Sequence, residues 1–171
     1  MQILTFHGEV NSPEVVNAEF HASGSLAVMA HRLEMEGAKI LSRNSNDFRF
    51  RGGLGAKFIA SKWSFLLSIS SGEIKVFAKD KRVFASYKIR FDEWALIVLV
   101  VFIVIGLIMM YSFAQASTGT AFMSNLYCLA ILFVLSLCYF GVSSALATGK
   151  FRDLLHSCLI ESNQAMPDYK P

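Results

Sequence analysis

Two features of this sequence have the residue types and spacing for chemistry. One is a set of lysines and arginines concentrated between Lys39 and Arg90, and the other is the glycine-rich stretch RGGLGAKF from Arg51 to Phe58. A glycine-rich loop cradles phosphate when its backbone N–H groups lead into a helix N-terminus. RGGLGAKF lacks the GxxxxGK(S/T) spacing and no helix-start signal follows it, so a plain turn is the expectation. The histidines His7, His21, His31 and His156 are scattered with no paired spacing, and no metal site is expected. The serines stand in neither a GxSxG nor an SxxK pattern. No cofactor and no enzymatic activity are expected.

The basic residues divide unevenly. From Met1 to Ala38 a single Arg32 stands against Glu9, Glu14, Glu19, Glu34 and Glu36, whereas from Lys39 to Arg90 twelve Lys and Arg stand against Asp47, Glu73 and Asp80. Lysine and arginine close to a membrane attract anionic headgroups at about 1 kcal/mol each. Lys75, Lys79, Lys81, Arg82, Lys88 and Arg90 are therefore the candidate anionic-lipid contacts. Nucleic acid is not expected as a partner, since no binding motif accompanies the charge.

The elements that would position these residues begin with a membrane anchor. Trp94 to Ala114 contains no charged residue and is long enough to cross a bilayer core of roughly 30 Å at about 1.5 Å per residue. Ala121 to Ala147 is a second apolar run, and the uncharged connection Gln115 to Thr120 implies a helical hairpin. Neither run carries an Asp, Glu, Lys, Arg or His, so the usual marker of a transport pathway is missing. Gly141 and Ala145 have small-xxx-small spacing, and Gly106 in the first run is the candidate to receive them. The positive charge before the first span, with Lys150 and Arg152 after the second, predicts both termini on the cytoplasmic side of the inner membrane.

Residues 1–92 read as a compact α+β domain able to fold alone. Gln2 to Val10 alternates as a strand, Ser12 and Pro13 signal a helix start, and Leu26, Met29, Ala30 and Leu33 follow helical spacing after a second start at Ser23-Gly24-Ser25. Gly37 is the expected C-cap. Ala38 to Arg43 and Asp47 to Arg51 read as strands, with a turn at Asn44-Ser45-Asn46. Trp63 to Ser70, Glu73 to Lys79 and Arg82 to Phe91 read as a three-strand meander turning at Ser71-Gly72 and Asp80-Lys81. The last strand has Val83, Ala85, Tyr87, Ile89 and Phe91 as its buried row. The fold class expected is thus an antiparallel sheet with one main packed helix, a two-helix transmembrane hairpin, and a short amphipathic C-terminal helix within 148–171. In that tail Phe151, Leu154, Leu155, Cys158 and Leu159 share one face, which would lie on the inner leaflet or dock against the domain.

Three cysteines, two of them in the second span, imply no disulfide framework. The function expected is a membrane-anchored, non-enzymatic interaction or sensing module that meets the lipid bilayer, its anionic lipids, and a protein partner or a second copy. The alternative is a small oligomerising protein that forms pores or remodels membranes.

Overall fold

The computed structural model describes residues 4–12, 18–52, 66, 68–114 and 119–165. Its sheet has five antiparallel strands, β1 Thr5–Asn11, β2 Lys39–Arg43, β3 Asp47–Arg51, β4 Ser71–Lys79 and β5 Arg82–Arg90, in the order β1-β5-β4-β3-β2. Helix α1 (Ala18–Met35) and the second half of α3 (Gly119–Ala165) cover its inner face, while α2 (Asp92–Ala114) runs beside the first half of α3. The class is α+β, as the alternating strands and one periodic helix imply. Both α2 and α3 are long and apolar enough to cross a membrane.

The alternation in β5 is realised: Val83, Ala85, Tyr87 and Ile89 are buried, together with Phe91 beyond the strand. Facing them are Ile74 and Val76 of β4, Phe48 and Phe50 of β3, and Leu26, Met29, Ala30 and Leu33 of α1. The β4–β5 hairpin turns through Asp80 and Lys81 at φ 49° and 57°. Two successive positive φ values make the primed turn that matches strand twist. At the end of α1, Gly37 takes φ 98°, its N–H donates to Glu34 O, and the Ala38 N–H donates to Leu33 O at 2.8 Å. This is the Schellman closure that glycine favours.

Three expectations are corrected. Helix α1 already runs from Ala18, so Ser23-Gly24-Ser25 lies inside it; Gly24 and Ser25 are buried, and Ser25 hydrogen-bonds Ser162 of α3 at 2.5 Å. Strand β4 begins at Ser71, so Ser71-Gly72 is strand and not a hairpin, and β4 lies between β3 and β5. Ser68–Ser70 are not strand; residues 63–65 and 67 of the expected Trp63–Ser70 strand lie outside the described residues. The backbone explains the change: Ser70 N–H donates to Arg90 O at 2.7 Å, and Gly52 N–H donates to Ser70 O at 3.1 Å. A Cβ at Gly52 would lie 2.3 Å from Ile69 O, so that glycine is required by this close crossing. Of RGGLGAKF, Gly53 to Phe58 lie outside the described residues.

The third correction concerns the tail. No break separates an apolar helix ending at Ala147 from a separate amphipathic one; α3 is continuous across Gly149. A glycine inside a helix costs only about 1 kcal/mol. The buried side chains beyond it offset that cost many times over, because Phe151, Leu155, Cys158 and Leu159 lie in the same core as Phe48, Ile74 and Leu33. Of the two placements expected for this segment, docking against the domain is the one adopted. Residues 166–171 lie outside the described residues.

Candidate functional site

The outer face of the sheet carries the candidate residues, and strand register decides which of them meet. Directly paired residues in antiparallel strands project to the same side. The row nearest α2 is Thr5, Arg90, Ser71, Arg51 and Lys39. The next is His7, Lys88, Glu73 and Arg49, then Glu9, Ser86, Lys75 and Asp47, then Asn11, Phe84 and Phe77, and finally Arg82 with Lys79. Among the described residues no helix lies on this face.

All six candidate contacts belong to this face or its hairpin, but they do not form one cluster. Arg90 and Lys88 stand beside the start of α2, whereas Lys79, Lys81 and Arg82 sit at the far end of β5, about 20–26 Å away at roughly 3.3 Å per residue. Lys75 lies between. In exchange, Arg51, Lys39 and Arg49, which no local pattern distinguishes, join Arg90 and Lys88. Arg51 binds Glu93 at 2.9 Å, and Glu73 forms ion pairs with Arg49 at 3.7 Å and Lys75 at 3.4 Å. Such exposed pairs contribute at most about 1 kcal/mol each. Among the described residues Lys39, Lys88 and Arg90 form no ion pair. Phe77 and Phe84 stack on each other with ring centroids 5.5 Å apart.

The join between sheet and helix is stiff. Only Phe91 separates β5 from α2; it is fully buried, its ring meets Phe6 edge-on at 5.4 Å, its N–H donates to Leu4 O, and its carbonyl accepts Ala95 N–H at 2.9 Å. Asp92 and Glu93 form the first turn of α2, where acidic residues favour the helix dipole. Ser70 caps that turn, its Oγ accepting Glu93 N–H at 2.7 Å.

A second rigid join is an aromatic socket. Gly8 and Gly72 leave room on the inner face for the rings of Tyr87 and Phe50, since a Cβ at either glycine would come within 2.5 Å of the respective ring. Phe151 of α3 inserts between them, at 5.3 Å from Tyr87 and 5.6 Å from Phe50. Burial raises the pKa of Tyr87 above its ordinary value, with Arg152 opposing it, and pushes the Cys158 thiol up to about 11. Sequence reading missed this socket. The available signal was two glycines in otherwise regular strands.

Between the apolar helices, Trp94 Nε1 donates to Ser143 Oγ at 2.9 Å, and Phe102 meets Phe133 at 5.4 Å. A Cβ at Gly106 would touch Leu129 at 3.4 Å. Gly106 thus packs against α3, but not against Gly141 or Ala145, which are exposed; a Cβ at Gly141 meets nothing within 4 Å. His7, His31 and His156 are exposed on separate elements, and no metal-holding group occurs among the described residues.

Comparison with known proteins returned no matching family, curated protein or solved structure.

Proposed function

We propose that this chain is a membrane-anchored, non-enzymatic interaction or sensing module, with α2 and α3 crossing the bilayer as a hairpin and the sheet domain at its inner leaflet. The observation that carries this reading is the pair of stiff joins. A tether needs only a flexible linker, whereas here β5 reaches α2 through one buried residue and α3 continues unbroken into the domain core. A partner seated on the domain would therefore act directly on the hairpin, and the reverse.

The outward side chains support the membrane assignment. Leu96, Leu99, Ile103, Leu107, Ile131 and Leu135 are 48–61 % exposed, an apolar surface that water would not tolerate on a soluble domain. The basic residues flanking the hairpin support the cytoplasmic orientation. Replacing Ser117 or Thr118 by Cys should give a site labelled from outside the cell, and labelling of the sheet domain instead would reverse the orientation. Intact protein extracted from its native membrane should retain a specific protein partner. Recovery of nothing beyond what an unrelated hairpin protein retains would sink the interaction reading.

A second reading, a protein that oligomerises in the membrane, is favoured by the outward Gly141 and Ala145, which leave an open close-packing face. Vesicle leakage caused by the hairpin alone would favour it.

A further inference from the structure

We infer that the two sheet rows beside α2 form a binding stripe for anionic phospholipid headgroups, built by Arg90, Lys88, Arg51, Arg49 and Lys39. The inference rests on the membrane reading above and goes beyond it by naming the ligand and the residues. Three observations carry it.

First, the charge gathered there exceeds what topology requires. Orientation is set by Lys and Arg within about 15–20 residues of a span. That accounts for Lys88 and Arg90, but Arg51, Arg49 and Lys39 stand 41, 43 and 53 positions before Asp92. Folding nevertheless brings them to the row of Arg90 and the row next to it, through pairing of β2, β3, β4 and β5. On strands about 4.8 Å apart, the stripe spans roughly 15–20 Å, the width of two or three headgroups.

Second, the chain holds this stripe at the membrane surface. Arg90 is separated from α2 only by buried Phe91, so it lies within about one Debye length, roughly 8 Å, of the point where α2 starts, and Arg51 and Lys39 share its level along the strands. Lys150 and Arg152 are exposed on α3 just past the apolar stretch and add positive charge on the opposite side.

Third, the far end of the same face cannot serve. Helix α3 packs along the inner face from Ala147 to Leu159, so its axis runs parallel to the sheet plane. With α3 crossing the bilayer, the sheet stands up from the surface instead of lying on it. Only its lower edge reaches headgroups, and Lys79, Lys81 and Arg82 are held too far away along β5. The acidic groups in the region do not cancel the stripe: against its five cations stand Glu93, which binds Arg51, Glu73, which is shared by Arg49 and Lys75, and Asp92 in the first turn of α2.

The test uses the full chain in detergent micelles with phosphatidylglycerol or phosphatidylcholine added, read by native mass spectrometry as lipids retained. Wild type should retain phosphatidylglycerol at least tenfold over phosphatidylcholine, and the preference should fall as salt rises. Lys39→Glu/Arg49→Glu/Lys88→Glu should abolish it. Lys79→Glu/Lys81→Glu/Arg82→Glu, which reverses the same number of basic charges at the hairpin, should leave it intact. Equal loss in both variants would reduce the effect to diffuse charge and overturn the stripe. So would displacement of the lipid by inorganic phosphate at constant ionic strength, which would assign the site to soluble anions. If the Lys39→Glu/Arg49→Glu/Lys88→Glu variant keeps its lipid preference but loses a captured protein partner, the stripe is a protein contact; the interaction reading then survives and the lipid assignment does not.

Discussion

The two halves of α3 are one uninterrupted helix in two different surroundings. Before Ala147, large apolar side chains point outward on the sides that α2 leaves uncovered: Ile131, Val134, Leu135, Leu137, Val142 and Leu146 are each more than half exposed. After it, apolar and polar residues segregate, with Phe151, Leu155, Cys158 and Leu159 fully or nearly fully buried while Lys150, Arg152, Asp153 and His156 are exposed. Hydrophobicity all round suits a lipid solvent, and a one-sided stripe suits a protein core meeting water. The change falls within Ala147–Lys150, so the same rod is apolar enough to cross a membrane in one half and is a core element in the other.

That comparison can be broken most severely by removing the second half. Residues 1–92 alone lack Ala147, Phe151, Leu155, Cys158 and Leu159 from their core. Losing a buried Phe or Leu side chain costs about 2–5 kcal/mol each, and together these losses rival the whole 5–15 kcal/mol of a typical domain. The fragment, which its complete strand and helix pattern suggests should fold alone, is expected to lack cooperative thermal unfolding by circular dichroism. Fusing residues 148–165 back through a flexible linker should restore it.

A single substitution sharpens the contrast. Phe151→Ala should destabilise the domain by about 3–5 kcal/mol, because the socket of Tyr87 and Phe50 cannot close over the void. Phe133→Ala, in the outward half at 47 % exposure, should cost about 1 kcal/mol through its lost contact with Phe102. Comparable shifts in denaturation midpoint for the two would erase the distinction.

Cys158 offers a pH test of the inward half. Burial favours its neutral thiol and raises its pKa from 9.0 to about 11, with Glu161 adding to the shift and Arg32 opposing it. A group raised in the folded state stabilises fully below its unfolded pKa and loses that contribution as pH rises through the folded value. Stability relative to Cys158→Ala should therefore decline between pH 9 and 11. A difference that stays flat over this window would mean that the thiol is not buried.

The smallest expected effect lies just past the change of surroundings. Gly149 has open space where a Cβ would go, so Gly149→Ala should stabilise α3 by about 0.5–1 kcal/mol. Destabilisation there would indicate that the helix needs to flex at this point.

Local pattern determined much of this protein. The uncharged, largely apolar run from Trp94 to Ala114 defines a membrane-competent helix whatever surrounds it, and period-two alternation placed the buried row of β5 without reference to its neighbours. Gly37 as a helix stop and Asp80-Lys81 as a turn are likewise properties of a few adjacent residues. Lys88 and Arg90 were legible as candidates because Trp94 is close in sequence. Arg51, Arg49 and Lys39 were not, since only the pairing of β3 with β4 and of β2 with β3 sets them beside Arg90. The aromatic socket was equally hidden: Gly8, Gly72, Phe50, Tyr87 and Phe151 come from five separate stretches, and steric fit between them exists only after folding. The same holds for α3, whose amphipathic end reads identically whether it lies on a membrane or enters a core. Periodicity reports which face is apolar, and tertiary packing alone decides what that face meets.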